Sequence, residues 1–339
     1  MVWYDAGMKI ALLGAAGFLG GAAAQELSRR TDVEELILVD YVIRDAKRLA
    51  QALSPKCRWA MADVGKPLEL SRLLEGIDAV ASAVGPCGEY EKAILLACAG
   101  KGVAVASIGD GTLSGADRRE ADAAFRGAGV AAVSGCGMMP GWTELLAAHF
   151  LVPDGAPLRP PPSPGAARYL FFSPGRYGGY AFLRTVSKEV RSPAPSPAGA
   201  PEGACFSLPD GSFIGVPEGT DATRFRRITV TLGKLGPVGR EFTAALLHWL
   251  RRPGSGRPES PAAVAGVAAG ARFARVEDLS GRLTVLTFVE STLLLGAPGR
   301  KQSGLLPLPE LIGREEAEAL AAAAGARIVE EGIPGPNPG

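Results

Sequence analysis

Three glycines in the stretch LLGAAGFLGG, at positions 14, 17 and 20, follow the spacing G-x-x-G-x-x-G. They come directly after the apolar run MKIALL and open a helical pattern, FLGGAAAQELSRR. A turn of this kind, formed by Gly14, Ala16, Gly17, Phe18, Leu19 and Gly20, reads either as a structural glycine turn or, with its strand, helix and later acid, as a dinucleotide turn. Without Cβ atoms the backbone can approach a pyrophosphate, and the N–H groups that open the helix face the anion. Asp40 lies 20 residues after Gly20, at the end of the next apolar run, ELILVDY. A carboxylate at about that distance is placed to accept hydrogen bonds from an adenosine ribose. It repels a 2′-phosphate, so NAD is the expected cofactor. Arg44 and Lys47 are near enough to offset that repulsion, which keeps NADP as the alternative.

The elements needed to position these residues can be read along the first 150 residues. Short apolar strands at 8–14, 35–41, 57–64, 77–86, 103–110 and 130–137 alternate with helices at 18–30, 45–53, 67–76, 89–102 and 115–129. Continuous apolar strands separated by helices predict a parallel sheet covered on both faces, a doubly wound Rossmann α/β domain over 1–150. Val84, Gly85 and Pro86, with Ala83 before them, end the fourth strand, where ligands of such sheets bind. Tyr41 follows Asp40. Asp63 and Val64 end the third strand and read either as neighbours of an adenine or as a plain turn.

Beyond this the pattern changes. The proline-rich VPDGAPLRPPPSPG, 152–165, is a loop or linker, and strand-like and helical runs then mix. Strands are expected at 168–175, 211–216, 224–233 and 282–290, and helices at 178–190 and 239–252. This predicts a second α+β domain with a mixed sheet over 151–300, serving substrate binding and dimerisation. The segment 301–339, with a helix and short strand over 315–331, is expected to pack back on the first domain.

Composition narrows the function classes. Thirty-six Lys and Arg balance 35 Asp and Glu, so no charge footprint for nucleic acid or an anionic membrane exists. Five cysteines form no C-x-x-C, and only His149 and His248 supply imidazole, each within an apolar helical stretch that suggests packing. A metal centre is not expected, and a reducing, cytoplasmic setting is. No apolar run reaches the roughly 18 residues of a membrane span, and the glycine spacing near the start separates it from a signal peptide. A homodimer acting on a small molecule is the expected form.

Many proteins with this glycine spacing are short-chain dehydrogenases, which need Y-x-x-x-K, and none of the tyrosines at 4, 41, 90, 169, 177 and 180 has a lysine four residues on. Instead, ASAVGPCGEYEKAILLACAGKGVAVASIGDG (81–111) and AGVAAVSGCGMMPGWTELLAAHF (128–150) resemble the saccharopine dehydrogenase-like group, which includes saccharopine reductases and lysine 6-dehydrogenases. SGLLPLPEL, 303–311, adds a weaker likeness. The resemblance implies that Val84-Gly85-Pro86 passes the nicotinamide and that the Pro140-Gly141 turn lies beside the substrate. The reaction it implies is oxidation or reduction at a carbon–nitrogen bond.

Where saccharopine reductases carry an acidic residue before that Pro-Gly, this chain has Met139. A thioether transfers no proton. Met138, Met139 and Trp142 therefore suggest an apolar substrate pocket, or else core. Candidate acid–base groups are Glu144, which can equally cap a helix, and Tyr177 or Tyr180 in SPGRYGGYAFLRTV, where Arg176 suits a substrate carboxylate. An enoyl or carbonyl reductase on the same scaffold, and a non-catalytic NAD(H)-binding sensor or scaffold, are the alternatives.

Overall fold

A computed structural model of the chain describes residues 7–109, 113–151, 167–172, 193–208, 210–217, 261–269 and 272–331. The first seven-stranded sheet uses β1 (Met8–Leu13), β2 (Val33–Asp40), β3 (Cys57–Met61), β4 (Ala79–Ser82), β5 (Ala104–Ser107) and β6 (Ala131–Ser134). Between them run α1 (Phe18–Arg29), α2 (Ile43–Ala52), α3 (Pro67–Leu73), α4 (Cys87–Lys101) and α5 (Gly115–Ala128). A late strand, β13 (Gly304–Leu306), completes the order β13-β6-β5-β4-β1-β2-β3, with every pair parallel. All four residues of β4 and of β5 are buried, as a sheet with covered faces requires. From β1 the chain winds outward to β3, then returns to β4 on the other side of β1. The β1/β4 crevice is therefore the switch point of the sheet.

The core of this layer joins Leu13, Val39, Val80, Leu95, Val105 and Phe125. Helices α4 and α5 stop at Gly102 and Gly129, both left-handed at φ 65° and 70°, where a side chain would be strained.

The second sheet is mixed. It contains β7 (Ala167–Phe172), β8 (Pro193–Ala194), β9 (Gly203–Ser207), β10 (Phe213–Pro217), β11 (Ala263–Ala269), β12 (Arg272–Asp278) and β14 (Arg327–Glu331). Their order is β14-β12-β11-β7-β10-β9-β8, with β7 and β10 parallel and the other pairs antiparallel. Helix α6 (Trp142–His149) packs on β11 and β12, and α9 (Arg314–Ala324) on α6 and β12. The expected strand 224–233 and the helices 178–190 and 239–252 lie outside the described residues.

The strand expected at 282–290 is instead the first half of a helix, α7 (Leu283–Gly296). Its threonines and valines favour a strand locally, but burial overrides that preference. Leu283, Val285, Phe288, Val289, Leu293 and Leu295 are all buried, and so are Thr284, Thr287, Ser291 and Thr292. A helix apolar all round belongs in a core. Thr292 Oγ1 donates to the Phe288 carbonyl at 2.9 Å, and Glu290 pairs with Arg30 at 3.3 Å. A Cβ on Gly296 would lie 2.8 Å from Ala79 Cβ, which shows how closely the helix meets β4.

The chain divides into two compact units, Met1–Gly137 with Thr284–Leu311, and Met138–Leu283 with Ile312–Gly339. The second unit thus begins at Met138 rather than 151, and α7 belongs largely to the first. The expected single tail 301–339 is split, because β13 joins the first sheet while β14 pairs with β12 in the second. Short α8 (Leu308–Leu311) lies between them.

Candidate functional site: a dinucleotide cradle at the first strand's exit

The glycine turn leaves β1 with Gly14 at φ 74°, a conformation that suits glycine. Space enforces the same choice: a Cβ there would lie 2.8 Å from the Ala83 carbonyl oxygen and 3.2 Å from Val84 N. The turn and the exit of β4 therefore touch, backbone to backbone. Gly20 is tighter still, since its Cβ would fall 2.0 Å from the Gly14 oxygen. Only a bare backbone lets α1 fold down onto the turn. At Gly17 the surroundings are open, with only the Gly14 oxygen near, at 3.1 Å from an added Cβ. A ligand can use that space where a side chain would fill it. Helix α1 begins after Gly17 with no side-chain cap and no acidic residue in its first turn, the arrangement an incoming anion requires.

Asp40 is tied to this cradle. Its Oδ2 accepts from Ala16 N at 2.9 Å, and its Oδ1 from Val42 N at 3.0 Å. The carboxylate thus holds the phosphate turn and sits beside it, half-buried, as a ribose acceptor needs. Gly14 N and Ala15 N both donate to the Val39 carbonyl, which locks the turn to β2. Phe18 and Tyr41 present exposed rings. Arg44 pairs with neighbouring Asp45 at 3.2 Å, while the Lys47 ammonium lies 5.3 Å from the centroid of the Trp59 ring.

At the exit of β3, Asp63 Oδ1 accepts from Gly65 N at 2.9 Å and Asp63 N donates to Glu69 Oε2 at 3.1 Å. These bonds are those of a strand-end turn. Val64 and Val84 both pack against the core. Pro86, joined to Gly85 by a cis peptide, caps α4.

Other candidates divide differently. Glu144 is spent on structure: Oε2 accepts from Gly141 N and from Thr143 Oγ1, and Oε1 from Arg168 at 3.1 Å. Arg168 also bonds Asp210 at 3.0 Å. Helix capping, one of the two roles open to Glu144, is what these contacts describe. Met138 and Trp142 are fully buried, and Met139 is half-buried before a cis Pro140. Arg176, Tyr177 and Tyr180 lie outside the described residues. His149 is a packed side chain, its Nε2 3.0 Å from the Ile312 carbonyl oxygen.

Residues 10–133 match the family model described as the saccharopine dehydrogenase NADP binding domain. The match lies within the first compact unit. Its cradle agrees with the assignment, and the first unit is an NAD(P)-binding domain of the saccharopine dehydrogenase type. Among solved structures, apo saccharopine dehydrogenase (L-Glu forming) from Saccharomyces cerevisiae aligns over 96% of this chain and 99% of its own. The identity is 13% and the TM-score 0.59, so what is shared is the fold. Pen from Bacillus thuringiensis is 14% identical, over 39% of this chain and 51% of its own, at a TM-score of 0.31. A short chain dehydrogenase/reductase family protein is 13% identical, over 39% and 75%, at 0.29. At such scores neither bears on the fold of the whole chain.

Two buried carboxylates, Glu91 and Asp278, belong to no motif of the sequence. Glu91 lies on the apolar face of α4 and accepts from Ser134 Oγ at 2.7 Å. Its signal was its position, an acidic residue in a stripe of core positions.

Proposed function

We propose that this chain is an NAD(P)-dependent oxidoreductase that moves hydride at a carbon–nitrogen bond of a small molecule, reducing an imine or oxidising an amine or amino acid. The observation that carries the reading is the bare-backbone cradle at Gly14, Gly17 and Gly20, with Asp40 bound to its Ala16 N–H. The likeness in fold to a saccharopine dehydrogenase supports the choice of bond.

In this proposal the Gly14–Gly20 turn and the start of α1 hold the pyrophosphate, and Asp40 accepts from the ribose. Val84, Gly85 and Pro86 border the nicotinamide. The bound dinucleotide supplies or takes up the hydride, and the chain orients it and excludes water. With Glu144 engaged in capping, Tyr177 and Tyr180 remain the proton-donor candidates. Arg176 is proposed to hold a substrate carboxylate, beside Met138, Met139 and Trp142. The apolar Met139 before Pro140 favours a second reading, a carbonyl or enoyl reductase on the same scaffold.

The test is a fluorescence titration with NADH and NADPH, followed by turnover assays on panels of amines, amino acids, keto acids with ammonia, and enones. Cofactor binding with turnover on the nitrogen panel is the expected result. Turnover confined to carbonyls or enones selects the second reading, and failure to bind either dinucleotide at millimolar concentration overturns both.

A further inference from the structure

Helix α4 buries Cys87, Glu91, Ile94, Leu95, Cys98 and Ala99, a single helical face. Glu91 therefore holds a core position. It is the one charged side chain buried among the described residues of the first unit. A leucine would pack there without the cost of removing a carboxylate from water. Some other requirement accounts for the acid.

Its surroundings indicate which. Ser134, the donor to Glu91 Oε1, ends β6, two strands across from β4. Between them β5 leaves through Gly109, at φ 52°, where a Cβ would lie 2.9 Å from Ser134 Oγ and 2.5 Å from Gly135 N. Glycine there leaves room for the serine hydroxyl. Gly135 N and Cys136 N both donate to the Ser107 carbonyl, at 3.0 and 3.1 Å, so the ends of β5 and β6 are clamped. On the other side, the first turn of α4 is bonded to the Val84–Pro86 turn. Cys87 Sγ donates to the Val84 carbonyl at 3.5 Å, and Glu89 N to that of Pro86 at 3.1 Å.

We propose that Glu91, through its hydrogen bond from Ser134, is a positioning residue that braces the Val84-Gly85-Pro86 turn against β6, in the place where that turn meets the nicotinamide half of a bound dinucleotide. This rests on the cofactor reading above and adds a residue to it. Glu91 touches no cofactor atom itself; it acts through α4.

The full chain is titrated with NADH, or with NADPH if the wild type prefers it, and separately with ADP-ribose, which lacks the nicotinamide. Glu91→Leu is expected to melt no lower than wild type and to bind the dinucleotide about tenfold more weakly. Its affinity for ADP-ribose should stay within about twofold. Glu91→Gln, whose amide oxygen still accepts from Ser134, should resemble wild type. Ser134→Ala removes this donor to Glu91 without touching the apolar stripe and should repeat the split, so it serves if Glu91→Leu does not fold. Unchanged dinucleotide affinity in the leucine and alanine variants overturns the brace, and so does an equal loss of both ligands. A wild type that binds neither ligand overturns the cofactor reading first, and the brace with it, before any variant is made.

Discussion

Asp40 does two things with one carboxylate. Bound to Ala16 N, it keeps the glycine turn in place, and in the proposed complex its remaining lone pairs are free to accept from a ribose. Its negative charge disfavours a 2′-phosphate. The two nearby cations offer little relief, because Arg44 is paired with Asp45 and Lys47 rests on Trp59. We expect NADH to bind at least about tenfold more tightly than NADPH in a fluorescence titration. Asp40→Ser should weaken NADH without producing tight NADPH binding, because the turn loses its anchor as well. Equal affinity for the two dinucleotides in the wild type would contradict this account. Glu144 teaches the opposite lesson about single residues. Its oxygens accept from Gly141, Thr143 and Arg168, contacts that describe the capping role, one of the two the residue order offered.

Among the elements, α7 departs furthest from local preference. Thr284, Val285, Thr287 and Val289 are β-branched, yet they lie buried in a helix. Its stability comes from packing rather than propensity. Phe288→Ala is therefore expected to cost about 3–5 kcal/mol, measured by urea unfolding. The loss should appear in the unit that carries the cofactor, with NADH binding weakened at temperatures near the new melting point. A change below about 1 kcal/mol would mean that Phe288 is not in a packed core. Helix α4 shows a related conflict, because a lone Glu91 in its apolar stripe makes the segment less amphipathic than its packing.

At the scale of the whole molecule, the five cysteines share a buried setting. Cys57, Cys87, Cys98, Cys136 and Cys205 are all buried, and none is in a disulfide. Burial pushes the Cys136 thiol up to about 12 and the Cys205 thiol up to about 11, and raises Cys98 as well. Only the thiolate reacts. At pH 7.5 the native protein should react with a thiol reagent far more slowly than the unfolded chain, and all five groups should appear on denaturation. The sign of the pH effect follows. For Cys98, Cys136 and Cys205 the folded pKa lies above the unfolded value of about 8.5, so this contribution is complete below that pH. It is lost as pH rises toward the folded values. The melting temperature should fall between about pH 9 and 11, and fast labelling of the native protein at pH 7.5 would contradict the burial of these thiols.

Much of the first unit was legible in the residue order. Its six leading strands, the glycine turn and the partnership of that turn with Asp40 depend on local spacing: a backbone without Cβ atoms, a helix opening beside it, and a carboxylate one strand later. Such features are set within some thirty residues of chain, where periodicity carries the information. Other features needed contacts between residues far apart. Helix α7 is a helix because its side chains are buried against distant parts of the chain, such as Met8, Ala79 and Arg30, and β13 and β14 part company because each completes a different sheet edge. Glu144 is engaged at its second oxygen because Arg168 meets it from β7, and Glu91 matters because Ser134, 43 residues later, reaches it past Gly109. Sequence determined the cofactor class, since that chemistry is written in neighbouring backbone units. Tertiary structure decided which carboxylates are engaged and with what, because hydrogen bonding and desolvation depend on which distant groups are packed together.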